Sequence, residues 1–468
     1  MLKVTLINPN HFTRYPQPPM GLALLAAVLE KTGHQVKILD TTVLKLDAEA
    51  VVPLVGAPDI VGLTATTPAI NSAVGIGRYL KKAYPDLPII LGGPHATLLP
   101  KETLAATPEI DVLVTGEGED TIIELLRAYE DKSPLDNIPG IALRRDGDVV
   151  INPPRAASSD LDSLPYLAYH LLPWQKYRPH PPHGRALPFA AVITSRGCPY
   201  HCSYCSKPIF GSRYRQQSPP RVVDEIAYHS EKYGIREFAI YDDVFTLDKK
   251  RSHAIADEIM KRGLKIAWTC ETRVNLVDKE LLRHIKQAGC YSIAYGIESG
   301  SPAILNILDK GIGLEQVEEA VRWSREAGLQ TIGYFMVGSP QETPQTIRQT
   351  IQFAKKLKLD FAQFAITIPF PGTRLYDLYR DSGKTESLPW ESFIYAESGS
   401  RAAPVFESPL LSRDDIQGWA RRAYREFYLR PSYLWQRLRH IVSIGDLKLN
   451  IKGLSMLLEN IKPAQKGR

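Results

Sequence analysis

The chain has 468 residues, 44% of them hydrophobic, enough to bury sizeable cores and to divide into two or three domains. Its net charge of +6 is mild and uneven: residues 411–468 hold 12 Lys/Arg against 5 Asp/Glu, so any basic surface belongs to the C-terminal tail, and the chain carries no strong nucleic-acid signal. Five cysteines argue against a disulfide framework, no run approaches 18 apolar residues, and the opening "MLKVTLINPN" reads as a strand, which together predict a soluble, cytoplasmic protein with no transmembrane segment.

Residues 1–130 alternate short apolar runs with helical patterns: "KVTLINP", "MGLALLAAVLEKTGH", "QVKILD", "IVGLTAT", "AVGIGRYLKKAY", "PIILGGP", "DVLVTGEG" and "TIIELLRAYE". This alternation predicts an α/β fold, a Rossmann-like doubly wound parallel sheet with helices on both faces. Such sheets bind ligands beyond the C-terminal ends of their strands. Those ends carry Asn8-Pro9, then Thr64 and Thr66, Gly92 and Gly93, and Gly116 and Gly118, and small residues let backbone approach a ligand closely. Any one glycine is explained by a tight turn; four such strand ends together favour a ligand.

Residues 131–187 break the pattern and are assigned to a linker, with a hairpin in "IALRRDGDVVINPP" turning at Asp146-Gly147 and a proline-rich run "HLLPWQKYRPHPPHGRALP". Over 188–385, "FAAVITS", "EFAIYDDVF", "KIAWTCETR", "SIAYGIESG", "TIGYFMVGSP" and "FAQFAITIPFPGT" are strands separated by helices. Six such units predict a partial (β/α)6 TIM-like barrel whose active site lies at the strand C-termini. Residues 386–468 are expected to be a helical C-terminal substrate or cap region.

The loop after the first barrel strand reads "RGCPYHCSYCSKP" and places Cys198, Cys202 and Cys205 in a C-x3-C-x2-C pattern. Thiolates are soft ligands suited to iron–sulfur clusters. Three of them on a four-iron, four-sulfur (4Fe-4S) cluster leave one iron open to a small molecule; an incomplete zinc site or chance clustering is the alternative. Cys270 and Cys290 fall in and at the start of strands, where buried inert thiols are common.

With "CPYHCSYC" and the aromatic Tyr204 just before its last cysteine, the chain resembles the radical S-adenosylmethionine (radical SAM) enzymes over about 186–385. The resemblance implies that the open iron chelates S-adenosylmethionine and that one-electron reduction splits it into methionine and a 5′-deoxyadenosyl radical. It also implies an electron donor such as flavodoxin or ferredoxin. By the same resemblance, "YDDVFTLD" offers Asp242 and Asp243 for the methionine amino group, and "TCETRVN" offers Arg273 for its carboxylate. "GIESGS" offers Glu298 and Ser299 near the ribose. Each of these charged groups has a structural ion pair as its alternative.

The front domain, with "PPMGLALLAAVLEKTGHQVKILD", "ILGGPHAT" and "DVLVTGEGE", is similar to the cobalamin-binding domain of class B radical SAM methyltransferases and anaerobic tetrapyrrole cyclases. The chain lacks the Asp-x-His-x-x-Gly sequence that supplies cobalt's lower ligand in many such domains, and His95 is expected to be a hydrogen-bonding turn residue. The implied function is C-methylation of an unactivated carbon, with methylcobalamin supplying the methyl group to a substrate radical. A cyclase keeps both cofactors but closes a ring; a redox- or cobalamin-sensing module would bind both and cleave nothing. A methylthiotransferase needs a second N-terminal cluster, and no cysteine precedes Cys198. The resemblance leaves the substrate open among small molecules, lipids and peptides. Arginines interleaved with Trp419, Tyr424, Phe427, Tyr428, Tyr433 and Trp435 in the C-terminal segment suit enclosure of an apolar, acidic substrate or, equally, a helical cap packed on the barrel.

Overall fold

The computed structural model describes residues 1–11, 13, 15–179, 184–380, 390, 393, 407, 410–439 and 457–458. The first sheet holds β1 (Lys3–Asn8), β2 (Gln35–Asp40), β3 (Ile60–Thr64), β4 (Ile89–Gly92), β5 (Val112–Val114), β6 (Ile141–Arg145) and β7 (Asp148–Ile151), in the order β2-β1-β3-β4-β5-β6-β7. Strands β1 to β5 are parallel. The order reverses between β1 and its two neighbours, and that switch point opens a crevice at the strand C-termini. Helix Ile70–Ala83 shows why the faces pack: Ile70, Ala73, Ile76, Gly77 and Leu80 recur every three or four residues and are all buried.

The hairpin β6–β7 belongs to this sheet, not to a linker as the sequence pattern predicts. It turns at Asp146 (φ 51°) and Gly147 (φ 89°), two left-handed residues that match a type I′ turn. Strand β6 then pairs antiparallel with β5. Burial of Ile141 and Ala142 rewards this pairing, which also covers the edge that the three-residue β5 would leave open.

The second sheet holds β8 (Phe189–Val192), β11 (Glu237–Ile240), β12 (Ala267–Thr272), β13 (Cys290–Glu298), β14 (Gln330–Val337) and β15 (Phe361–Ile366), all parallel and in sequential order. Strands β8 and β15 are its two edges, so the barrel is partial. Between β8 and β11, the two-residue strands β9 (Ser195–Arg196) and β10 (Arg215–Gln216) form an antiparallel ladder that brackets the cysteine loop. Outer helices start at side-chain caps: Ser218, Asp248, Asp278 and Thr343 each accept a backbone N–H of the first turn.

Helix Arg413–Tyr428 covers the β15 edge. The Tyr428 hydroxyl accepts from Ala362 N–H (3.0 Å) and donates to Ala362 C=O (2.8 Å), the Tyr424 hydroxyl accepts from Phe364 N–H (3.2 Å), and Tyr433 donates to Asp360 C=O (3.0 Å). Phe427 is fully buried beneath them. Tyr424, Tyr428, Tyr433 and Phe427 are therefore occupied in closing an open sheet edge, as a helical cap requires, whereas Trp435 is 59% exposed.

Candidate functional site

The cysteine loop is held by its stem. Asp242, at the end of β11, accepts Thr194 N–H (2.5 Å), Ser195 N–H (3.0 Å) and both of their hydroxyls (2.6 and 2.7 Å). Its side chain is fully buried, with Arg251 3.9 Å away and itself bonded to Thr194 C=O. A carboxylate has about four lone-pair sites, and here all four are filled by protein. The expectation that Asp242 meets the methionine amino group is corrected accordingly: it fixes the strand entering the loop. Asp243 is the freer neighbour. Burial and then the Asp242 charge raise its pKa, partly offset by the Gly197 N–H and Lys207. Gly197 has φ 84°, and a Cβ there would stand 2.3 Å from Arg213 C=O, so only glycine admits this close crossing just before Cys198.

Within the loop, Lys207 donates to Cys198 C=O (2.8 Å) and Tyr200 C=O. Cys198 and Cys202 are half-buried and Cys205 is exposed. Burial, followed by the neighbouring Cys202 and Cys198 sulfurs, raises the Cys205 thiol, which places the three thiols within electrostatic reach of one another. Among the described residues no three His, Cys, Asp or Glu side chains converge as a single metal ion requires. Three thiols on one loop are the donor set that a four-iron cluster takes, each thiolate on a different iron. Arg273 reaches the same place: Nη1 lies 3.3 Å from Cys202 Sγ, and its guanidinium stacks 3.8 Å from the Tyr200 ring centre.

At the end of β13 the structure assembles a group that sequence reasoning only half found. Glu298 Oε1 accepts from the Tyr204 hydroxyl (2.8 Å) and from Lys310 Nζ (2.8 Å), and Lys310 also donates to the Tyr204 hydroxyl (2.9 Å). Lys310 was missed; its only sequence signal is a lone lysine before a glycine in "NILDKGIG". Gly296 makes the pair possible, since a Cβ there would stand 2.6 Å from Glu298 Oε1 and 2.7 Å from Lys310 Nζ. The β13–β14 register slips at this point and Glu298 adopts φ 68°, a left-handed backbone costly for a non-glycine residue. Ser299, by contrast, is fully buried and turned toward helix Pro344–Lys356, its hydroxyl shared with Thr350 (3.0 Å) and Ser301 N–H (3.1 Å). The expectation of a ribose contact from Ser299 is corrected on that ground.

In the first sheet, a cleft of about 340 Å3 opens at the switch point. Leu6, Leu22, Leu25, Ile90 and Val114 form apolar walls, and Thr64, Gly92, Gly93, Gly116 and Gly118 line it as the strand ends predict. Thr66 does not: it is exposed, at the start of the turn Thr67–Ala69. Across the cleft stand Ile193, Arg196, Ile209 and Phe210 from the cysteine-loop region, so the two sites share a border. Its bare, apolar surface is the kind against which a flat macrocycle can lie. Among the described residues no histidine lines it. His95 is buried behind, with Nδ1 3.3 Å from Thr67 Oγ1, and burial lowers its pKa to about 4, so it is neutral.

A glycine-edged switch-point cleft set against a partial barrel with a three-thiol loop defines a two-cofactor enzyme that pairs a corrinoid module with radical SAM chemistry. The chain matches the models of the radical SAM superfamily over residues 192–354 and the B12 binding domain over residues 13–126. It is 38% identical over 420 residues to an uncharacterized methyltransferase of Pyrococcus horikoshii, covering 89% of each chain. To the anaerobic magnesium-protoporphyrin IX monomethyl ester cyclase of Cereibacter sphaeroides it is 30% identical, covering 96% of this chain and 75% of the cyclase. The structure of the radical SAM methyltransferase TsrM from Kitasatospora setae, with tryptophan and an S-adenosylmethionine analogue bound, superposes with a TM-score of 0.71 over 92% of this chain and 90% of that one; at 21% identity the likeness concerns the fold. The chain belongs to the cobalamin-dependent radical SAM enzymes that include these methyltransferases and cyclases. Its cofactors are a 4Fe-4S cluster, S-adenosylmethionine and cobalamin. Among the described residues no helix is long and apolar enough to cross a membrane.

Proposed function

We propose that this enzyme C-methylates an unactivated carbon of a predominantly apolar substrate. The observation that carries the reading is the shared border: residues of the cysteine-loop region line the same cleft as Gly92, Gly93 and Gly116. A carbon lying at that border is within reach of both cofactors. When bound, the reduced cluster and S-adenosylmethionine supply a hydrogen-abstracting radical, and methylcobalamin supplies the methyl group.

The protein's own residues bind and orient. Cys198, Cys202 and Cys205 hold the cluster, while Arg273, Asp243 and the Glu298–Lys310–Tyr204 group face S-adenosylmethionine. The inner wall of the barrel is small and apolar at β8 and β11: Ala190, Val192, Phe238 and Ile240 belong to the main core, whereas Phe189, Ala191 and Ala239 form a separate cluster with Met20 and Tyr241. Glu271, bonded to the Tyr334 hydroxyl (3.1 Å) and raised in pKa by burial, adds a polar group. That lining favours a carbon skeleton with few hydrogen-bonding groups, whether small molecule, lipid or peptide side chain. A flavodoxin- or ferredoxin-type protein supplies the electron.

Ring closure is the second reading, supported by the cyclase relative. Methylation is favoured because the chain spans 89% of the methyltransferase relative at higher identity. Anaerobic reconstitution with deuteromethyl S-adenosylmethionine tests the choice. A product carrying the label, with 5′-deoxyadenosine, supports methylation; an unlabelled ring-closed product supports the cyclase; neither label nor 5′-deoxyadenosine from a cluster-loaded enzyme offered family substrates overturns both.

A further inference from the structure

Four charged side chains close the seam between the two sites. Arg196 donates through Nη1 to Glu117 Oε2 (2.5 Å) and through Nη2 to Glu119 Oε1 (2.5 Å). Arg215 donates to Glu117 through both terminal nitrogens, with Nη1 3.1 Å from Oε2. Two guanidiniums and two carboxylates make a neutral set, and their side chains are only 3–14% exposed. Arg215 is tied further to Ser158 C=O (2.7 Å), and Arg196 lies 5.0 Å over the Phe210 ring.

Their placement joins two elements. Glu117 sits on the loop after β5, Glu119 opens the helix Glu119–Asp131 that follows it, and both line the cleft. Arg196 and Arg215 belong to β9 and β10, the ladder from which the cysteine loop springs two residues later at Cys198. A forked guanidinium on a buried carboxylate tolerates few geometries, so it passes displacement on instead of absorbing it. The Asp242 anchor fixes the same stem from the other side.

We propose that Glu117, Glu119, Arg196 and Arg215 are positioning residues that couple the two cofactor sites, so that cobalamin in the cleft and the cluster on the loop each strengthen binding of the other. This rests on the reading that the cleft takes cobalamin and the loop takes the cluster. Coupling between sites is reciprocal, and values of roughly 5- to 150-fold are usual. A clamp that only holds two domains together would weaken both sites without making either depend on the other.

The test titrates hydroxocobalamin into the full-length chain, cluster-loaded and cluster-free, under anaerobic conditions. Arg215 is bonded to the cleft-lining Glu117, so its variants are read by the ratio of cluster-loaded to cluster-free affinity and not by either affinity alone. In the unsubstituted protein the cluster-loaded form is expected to bind about tenfold more tightly, within that usual range, and cobalamin shifts the electron paramagnetic resonance signal of the reduced cluster. In Arg215→Lys, which keeps the charge and loses the fork, the affinity ratio falls; in Arg215→Gln it approaches one and the spectral shift disappears. A ratio of one in the unsubstituted protein, or an unchanged ratio in Arg215→Gln, overturns the coupling. If Arg215→Gln does not fold, an unchanged ratio in Arg215→Lys overturns it instead. Absence of cobalamin binding in both forms removes the cobalamin reading itself, whereas binding without coupling removes only this inference.

Discussion

The two halves of the site are built on opposite principles. The cleft in the first sheet is shaped by what its residues lack: glycines and aliphatic walls leave a smooth surface, and among the described residues no lining histidine offers a ligand. The barrel mouth is crowded with charge, each group bound to another: Asp242 with Thr194 and Ser195, Glu298 with Lys310 and Tyr204, Arg273 with Asn275 and the backbone at Lys310. A large flat ligand is held by area spread over many contacts, so single substitutions cost little. A small charged one is held by a few groups, and losing one leaves its partner buried and unpaired.

The sharpest break between the halves is expected at the cysteines. Cys198→Ala, Cys202→Ala and Cys205→Ala should each abolish the cluster in reconstituted protein, measured as iron and sulfide content, because two thiolates cannot hold it. Cys270→Ala and Cys290→Ala should retain it, since both are buried among β12 and β13 and Cys290 Sγ faces Ser292 C=O (3.5 Å). Full iron content in any loop variant would refute the assignment.

Next in size is the Glu298–Lys310 pair. Lys310→Met leaves a carboxylate 7% exposed with only a tyrosine hydroxyl as partner, and breaking a buried pair this way costs about 3–5 kcal/mol. The double variant Glu298→Gln with Lys310→Met should recover most of that stability. Neither is expected to bind S-adenosylmethionine, measured by calorimetry on the cluster-loaded protein. Recovery of both stability and binding in the double variant would make the pair merely structural.

On the cleft side the largest single-residue effect is conditional on pH. His95 ordinarily titrates near 6.5 and is lowered to about 4 by burial. The folded state therefore holds it neutral where the unfolded chain would protonate it. Its contribution is complete above pH 6.5 and is lost as pH falls toward 4, amounting to roughly 3 kcal/mol across that window. His95→Gln should flatten denaturation midpoints between those pH values while leaving cobalamin affinity at neutral pH unchanged. A coordinated histidine would instead show its loss in the cobalt spectrum.

Sequence pattern alone reached the two sheets, the six barrel strands and the thiol loop, because those depend on local periodicity and spacing. It failed where a role depends on which way a side chain turns. Asp242 and Asp243 are adjacent, yet one is consumed by the β8 exit and the other is not; Glu298 and Ser299 are adjacent, yet a slipped register sends them to opposite surroundings. Lys310 comes from a turn twelve residues beyond its partner, and nothing local ties the two. The hairpin β6–β7 was legible as a turn, but its membership in the first sheet depends on an open edge on a strand nearly thirty residues earlier.

The smallest expected effect separates the two roles that the C-terminal aromatics could play. If Tyr424 and Tyr428 serve the β15 edge, replacing them removes hydroxyls that satisfy backbone groups of Ala362 and Phe364 beneath a buried layer. A lost hydrogen bond of this kind costs about 1 kcal/mol, more where the orphaned group stays dry. Tyr428→Phe gives up an accepted and a donated bond to Ala362, and Tyr424→Phe gives up the bond from Phe364 N–H. Both should lower the denaturation midpoint and leave the substrate KM alone, because the ring packing of Tyr428 on Phe427 and of Tyr424 on Phe364 is kept and only the edge is loosened. Substrate enclosure predicts the reverse, a raised KM at unchanged stability, with uncoupled S-adenosylmethionine cleavage persisting. That outcome would return this helix to the substrate and leave the β15 edge needing another cover.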